Sequence, residues 1–442
     1  MKITVLGAAR SGRAAALLAQ RDGHTVFVSE SQPEHAVSQS LAELRAAGIA
    51  YEAGGHTDAA LRADLCIVSP GIPPHHPVRR AMEHQGTPVI GELEFASRHL
   101  GNRMVAITGT NGKTTTTALT THVLNAGGLR AVSAGNIGTP LSSLVGTVSE
   151  DTVIVVEASS YQLDTTTSFR PFISVILNIT PDHLAYHGSF EQYVESKWKI
   201  FAHQRDGDVV LLNADDSNVA RAHSHVRCTT AFFSTQCEVE GAFVRGGDVV
   251  FRQQQQEEFL MPTRRLGLAG LHNTYNSLAS ALAARTLELR NENIRDSLSS
   301  FSGVEHRLEH VRTMGSVRWI NDSKATNINA AWYALSSYDR PIVWIAGGRA
   351  EQNDYSALDE LVQTNVKAVI CLGEEADTIF NHWCTTKRCE KAHSMEDAVQ
   401  RAQEFATDHD VVLFSPACKS FDMFANFEER GRAFKEAVEH LS

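Results

Sequence analysis

The 442-residue sequence has no C-x-x-C pair, no lysine- or arginine-rich block and no long apolar run. Each absence excludes a class of protein. The seven cysteines (66, 228, 237, 371, 384, 389 and 418) are scattered, which disfavours a zinc ribbon or a disulfide framework and fits a reducing compartment. A formal net charge of −11 without a basic block argues against nucleic acid as a partner. No stretch approaches the ~18 apolar residues of a membrane helix, so no membrane insertion is expected. Met1–Gly7 is too short an apolar run for a signal peptide. The chain is long for one core, and two or three domains are expected.

What is present begins with "VAITGTNGKTTTT", residues 105 to 117. Val105–Thr108 is short, apolar and β-prone, and reads as a buried strand. Ala118, Leu119, Val123, Leu124 and Ala126 then recur at helical spacing, and Gly127-Gly128 marks the stop. A strand, a Gly turn and a helix place backbone N–H groups where a phosphate is attracted. Lys113 adds a point charge, and the hydroxyl of Thr114 or Thr115 is placed to ligate Mg²⁺. The strict pattern G-x-x-x-x-G-K-S/T fails, because Ile107 stands where its first Gly belongs. The bland reading is a Gly turn with a solvated lysine, and the ordered series of strand, turn, lysine, hydroxyl and helix speaks against it.

The rest of the chain alternates strand and helix signals. Strands are expected within 3–6, 24–30, 63–72 and 87–92, then 152–160, 172–183 and 206–216. Residues ~229–268 switch to short β segments with Gly246-Gly247-Asp248 as a hairpin turn, and 267–289 reads as a loop and a long helix. "SSFSGVEHR" (299–307) is a boundary, after which strands are expected within 316–322, 341–348, 368–374 and 410–417. The fold class is therefore α/β, in three successive units. Gly7 and Gly12 resemble a dinucleotide fingerprint whose middle Gly is replaced by Ala9, with Glu30 after the second strand. Alone, that signal is weak.

In parallel α/β sheets, ligands bind beyond the carboxyl ends of the strands. In the middle unit those ends carry Lys113 and Thr114, then Glu157, then Asn178, Asp182 and His183. A carboxylate beside a phosphate loop suits Mg²⁺, which prefers oxygen ligands. Glu157 reads equally as a solvated strand-end acid, and His183, one of 20 histidines, as a structural one. The last unit repeats the logic with Asp322, Ser323, Lys324 and Thr326, then Gly347-Gly348-Arg349, then Ser415. This is an anion site or a set of solvated caps. Cys418 has no activating partner nearby in sequence and reads as structural.

These residues carry a resemblance. Gly109-Thr110-Asn111-Gly112-Lys113-Thr114, Glu157-Ala158-Ser159-Ser160, Asn178 through His183, Gly270-Leu271-His272-Asn273 with Asn276, and His306-Arg307 together resemble the Mur ligases along essentially the whole chain. The family carries the shortened phosphate loop. "NDSKATN" (321–327) and "SPACKSFDMFANFEERG" (415–431) are similar to its D-glutamate-adding branch. Folylpolyglutamate synthetase shares the ATP machinery but not these segments, nor the α/β unit in front.

The resemblance implies three domains: 1–92, Rossmann-like, for a UDP-substrate; 93–302, a P-loop ATPase unit with an extra small β-sheet; and 303–442, Rossmann-like, for the amino acid. It implies an ATP-dependent, monomeric, cytoplasmic ligase acting on UDP-N-acetylmuramoyl-L-alanine and D-glutamate through an acyl phosphate. Gly109 to Thr115, with Lys113 and Thr114 foremost, would hold the nucleotide phosphates and the first Mg²⁺. Asn273, Asn276, Arg307 and Asp322 would also serve ATP. Glu157 and His183 would hold a second Mg²⁺, and Lys197 in "YVESKWKIF" matches a lysine carbamylated by CO₂. Arg10, Ser11, Ser31, Gln32, Gly71, Asn136, Ser159 and His183 would face the UDP-substrate, and Lys324, Thr326, Ser420 and Phe427 the D-glutamate. One departure stands out. Where the branch places a lysine or arginine after the Gly-Gly pair, this chain has Glu351, and Arg349 is the expected replacement. An NAD-dependent oxidoreductase leaves the phosphate loop unexplained. A non-catalytic nucleotide-binding regulator does not need Lys113, Glu157 and His183 together. A sister ligase with another amino acid is the closest alternative.

Overall fold

The computed structural model describes residues 1–350 and 353–441. Glu351, the departure noted above, lies outside the described residues. The chain forms two compact units, Met1–Phe301 and Ser302–Ser442.

The first unit holds two sheets. One contains β1 (Lys2–Leu6), β2 (Thr25–Glu30), β3 (Ala50–Ala53), β4 (Leu65–Val68) and β5 (Val89–Gly91). All five strands are parallel, in the order β3-β2-β1-β4-β5. The order reverses at β1, so the crevice for a ligand opens beyond the ends of β1 and β4. The other sheet contains β6 (Met104–Thr108), β7 (Ala131–Gly135), β8 (Val153–Glu157), β9 (Ile173–Ile176), β10 (Val209–Asn213), β11 (Thr229–Ser234), β12 (Gly241–Arg245), β13 (Asp248–Gln253) and β14 (Gln256–Pro262). Its order is β14-β13-β12-β11-β10-β9-β6-β8-β7. β6, β8 and β9 are buried at every residue, as continuous apolar runs covered on both faces must be. The last three strands turn antiparallel. Gly246 and Gly247 join β12 to β13 with φ of 58° and 84°, a two-residue hairpin turn that L side chains adopt poorly.

The helix Glu92–Ser97 ties the two sheets together. Glu94 accepts the backbone N–H groups of Thr167, Ser168 and Phe169, each at 3.0 Å. Burial pushes its carboxyl up, but hydrogen bonds from Ser168, Thr167 and Arg98 outweigh that and hold it at about 2. Glu92 accepts the N–H of Ser142 at 2.6 Å. Ile3, Val28 and Ile67 belong to the same apolar cluster as Ala106, Val156 and Ile176.

The second unit is one sheet of β15 (Glu309–Met314), β16 (Val317–Asn321), β17 (Ile342–Gly347), β18 (Val366–Leu372), β19 (Arg388–Ala392) and β20 (Val411–Phe414), ordered β15-β16-β20-β17-β18-β19. Only β15 is antiparallel. Trp344 anchors the core on one face, Trp319 and Phe434 the core on the other. The α/β class and the three successive sheets are as the sequence implies.

Candidate active site

β6 ends at Thr108, and the helix Lys113–Ala126 starts five residues on, with Gly112 as its N-cap in a left-handed conformation (φ 83°). A Cβ on Gly112 would meet the Asn276 Oδ1 at 2.4 Å. That oxygen accepts the Thr116 hydroxyl at 3.0 Å, and Asn276 donates to the Asn273 Oδ1 at 3.1 Å. Asn273 and Asn276 thus buttress the loop from behind, on the helix Leu271–Thr286. The loop is pinned in front by Asn178, which accepts the Asn111 N–H at 2.8 Å and donates to the Asn111 carbonyl at 3.1 Å. Thr114 and Thr115 are buried in the first turn.

Two lysines converge on one carbonyl. Lys113 Nζ donates to the Gly109 and Thr110 carbonyls, both at 2.9 Å. Lys197 Nζ donates to the Gly109 carbonyl at 2.8 Å. Lys197 is 1% exposed. Burial, then the nearby Lys113 charge, pushes its ammonium well below the ordinary lysine value, with Asp182 and Glu157 opposing. Its Nζ lies 4.7 Å from the centre of the Tyr193 ring. Tyr193 in turn shares a 2.9 Å hydrogen bond with the Thr110 hydroxyl. Tyr193, one helical turn before Lys197, was not singled out from sequence; the i, i+4 spacing is the signal that finds it.

The ends of β8 and β9 complete the cluster. Glu157 is 1% exposed. One carboxylate oxygen accepts Asn136 Nδ2 at 2.8 Å. The other is buried with no hydrogen-bond partner among the described residues, which marks a site built for something not in the chain. His183 sits at φ 55°, partly exposed, its Nδ1 3.4 Å from Asp182. Burial lowers its basicity, Asp182 opposes, and Lys113 and Lys197 add to the lowering. Ser159 caps the helix Ser160–Asp164 in a capping box with Gln162. The structure therefore brings together Lys113, Thr114, Glu157, His183, Lys197, Asn136, Asn273 and Asn276.

At the ends of β1 and β2, the Glu30 carboxylate accepts the backbone N–H of Ala8 at 2.7 Å and of Gln32 at 2.8 Å. Its role is to shape the turn that presents Arg10, Ser11, Ser31 and Gln32; of these Arg10, Ser31 and Gln32 are exposed. Gly71 lies in the exposed turn closed by Ile72 N–H on the Ser69 carbonyl. Ser29 donates to Glu52 at 2.6 Å, so the His56 Nδ1–H must donate to Ser29 at 2.7 Å.

In the second unit, Asp322 is buried and accepts the Ser415 hydroxyl at 2.8 Å and the Leu308 N–H at 3.1 Å. Burial raises its carboxyl to about 6 against the pull of Arg307. Lys324 Nζ stands 5.4 Å from the Phe427 ring centre, and the Thr326 N–H binds the Lys324 carbonyl. Arg430, missed in the sequence reading, is 2% exposed and donates to Ser323 and to the Cys418 carbonyl. Ser420 is buried. Arg349 is exposed, and its fork grips Glu374 at 2.7 and 2.9 Å. Cys418 is buried, 3.4 Å from the Tyr355 hydroxyl, and burial pushes its thiol up to about 11, consistent with a structural cysteine.

Residues 107–284 match the Mur ligase middle domain, 306–418 the Mur ligase glutamate ligase domain, and 2–78 the MurD N-terminal domain. The UDP-N-acetylmuramoylalanine–D-glutamate ligase of Salinibacter ruber is 47% identical over 454 residues, covering 100% of this chain and 98% of that protein. The chain belongs to the D-glutamate ligase branch of the Mur ligases. The same-named ligase of Acidobacterium capsulatum is 43% identical, covering 99% of this Mur ligase and 96% of its own length. Among solved structures, the UDP-N-acetylmuramate-alanine ligase of Thermotoga maritima aligns with TM-score 0.60 at 18% identity, over 99% of both chains. MurF of Thermotoga maritima, solved with ADP, aligns with TM-score 0.59 at 18% identity, over 94% of this chain and 95% of that one. These two speak for the shared fold alone. No helix among the described residues is long and apolar enough to cross a membrane.

Proposed function

We propose that this Mur ligase joins D-glutamate to UDP-N-acetylmuramoyl-L-alanine with ATP, as a cytoplasmic monomer in peptidoglycan precursor synthesis. The γ-phosphoryl group passes to the alanyl carboxylate, and the D-glutamate amine attacks the resulting acyl phosphate and loses a proton. The tetrahedral intermediate collapses to the amide and phosphate, with ADP as the other product. The observation that carries this reading is a phosphate loop at one strand end beside Glu157 at the next, a buried carboxylate with one oxygen unpartnered among the described residues. The choice of D-glutamate rests on the whole-length likeness to ligases of that name.

The proposed division of labour follows the chain: 1–92 for the UDP-substrate, 93–302 for ATP, 303–442 for the amino acid. Lys113 carries charge to the nucleotide phosphates, which the loop N–H groups cradle. Asn273 and Asn276 hold the loop in shape, and Arg307 and Asp322 serve the nucleotide from the second unit. Arg10, Ser11, Ser31, Gln32, Gly71, Asn136 and Ser159 face the UDP-substrate; Lys324, Thr326, Arg349, Ser420 and Phe427 face D-glutamate. Thr114, Glu157 and His183, with a carbamate on Lys197, form a donor set suited to two Mg²⁺ ions, whose chemistry is to neutralise charge on the phosphates. The lowered basicity of Lys197 supports the carbamate. Its neutral amine can attack CO₂, forming a C–N bond and releasing a proton, and the product offers oxygens in place of an ammonium.

The test is ADP release over an amino-acid panel with UDP-N-acetylmuramoyl-L-alanine, ATP and Mg²⁺. D-glutamate should be required and L-glutamate inert. Turnover with L-lysine, meso-diaminopimelate or D-Ala-D-Ala but not with D-glutamate would show the substrate to be wrong.

A further inference from the structure

We infer that His187 is a positioning residue for the ligase reaction, its imidazole fixing the segment that follows Glu157 at the end of β8 against the turn that begins at His183. The inference rests on the functional reading above. His187 is buried, and its Nε2 is 3.0 Å from the Ser160 hydroxyl. Ser160 opens the short helix after β8, three residues beyond Glu157. His187 closes the turn that begins at His183, whose carbonyl accepts the His187 N–H at 3.2 Å. One side-chain hydrogen bond therefore links the segments that follow β8 and β9, the two strands flanking β6, and each strand end leads to one member of the proposed metal donor set.

The ring contacts extend the tie. The His187 ring stacks on Tyr161 at 5.6 Å and 20°, and Tyr161 also meets the His183 ring at 4.9 Å. His187 also packs against Tyr193 at 5.4 Å, the residue whose hydroxyl meets Thr110 of the phosphate loop. The left-handed backbone of His183 is costly for a residue with a side chain and persists only where surroundings hold it. His187 supplies that hold from four residues away. It touches no reacting atom; it fixes the segment after Glu157 against the turn that begins at His183.

The experiment uses the full chain and two readouts. Mn²⁺ binding in the presence of ADP, followed by EPR of the free ion, reports the donor set without turnover. Steady-state ADP release reports kcat and KM. His187→Ala should weaken Mn²⁺ binding about tenfold or more and lower kcat comparably, with the D-glutamate KM within about twofold. Ser160→Ala should reproduce the metal effect, and His187→Gln, whose amide can reach Ser160, should recover most of it. Mn²⁺ binding and kcat within twofold of wild type in His187→Ala would overturn the inference. So would unchanged Mn²⁺ binding in Ser160→Ala, which decides the matter if His187→Ala does not fold. A wild type that binds Mn²⁺ but shows no D-glutamate-dependent ADP would instead sink the ligase reading.

Discussion

The strand-end cluster of the first unit and that of the second hold their charges differently. In the first, Lys113 and Lys197 rest on the Gly109 carbonyl, and Glu157 keeps one buried oxygen without a partner among the described residues. In the second, hydrogen bonds within the unit hold the charged groups, and Arg349 also meets an opposite charge. Asp322 is met by Ser415 and the Leu308 N–H, Arg430 by Ser323 and Cys418, and Arg349 by Glu374. The carbonyl oxygens orient both lysine ends onto the phosphate loop. A carboxylate neutralises its arginine, so a ligand at Arg349 must exchange one carboxylate for another. On the proposed reading, the first arrangement serves a polyanion and the second a small carboxylic acid.

The sharpest way to break this contrast is to remove the buried lysine. Lys197→Ala should reduce turnover by about a thousandfold or more. Added acetate should partly restore the alanine variant, which leaves a space, and not Lys197→Phe, which fills it. Full activity of Lys197→Ala would erase the special status of the first cluster.

A second effect separates the two units by pH. Asp322 titrates at about 6 when folded, against a usual 3.8. Its contribution is thus fully present below 3.8 and is lost as pH rises through 6, a gap of about 3 kcal/mol. Glu94 in the first unit is held at about 2 against a usual 4.5, so its contribution is present above 4.5 and lost as pH falls through 2. Four of the five tryptophans, 319, 332, 344 and 383, lie in the second unit. Melts followed by tryptophan fluorescence between pH 4 and 7 should therefore decline with pH in wild type and flatten in Asp322→Asn. A decline that survives the substitution would assign it to another group.

The smallest expected effect lies at Arg349. Arg349→Ala should raise the D-glutamate KM about tenfold, with those for ATP and the UDP-substrate little changed. Glu374→Gln, which frees the fork, should lower the D-glutamate KM or leave it unaltered. An unchanged KM in Arg349→Ala would make the Arg349–Glu374 pair a surface ion pair, a kind that contributes little.

What the sequence made legible follows burial. β6, β8, β9, β17 and β20 are apolar runs covered on both faces, and each stands where the run predicts. β3, β7, β15 and β19 were not anticipated, and all four are sheet edges. An edge strand is covered less completely; Ala50–Ala53 has no fully buried residue and Glu309–Met314 alternates between half-buried and exposed, so neither carries an apolar run. The site divides the same way. Lys113 and Glu157 announce themselves through the strand that precedes each. His187 and Arg430 act through partners distant in the chain, Ser160 and Ser323, and no local pattern points to such a pairing. Glu374 opposite Arg349 was hidden for the same reason.

Gly112 carries one further consequence. Any other residue there would need a left-handed backbone and would also drive its Cβ to 2.4 Å from the Asn276 Oδ1, displacing the amide that holds Thr116. Substitution at this position is opposed from two directions at once. A compound seated against Gly112 would press on a spot where a substitution carries both a backbone cost and a side-chain clash.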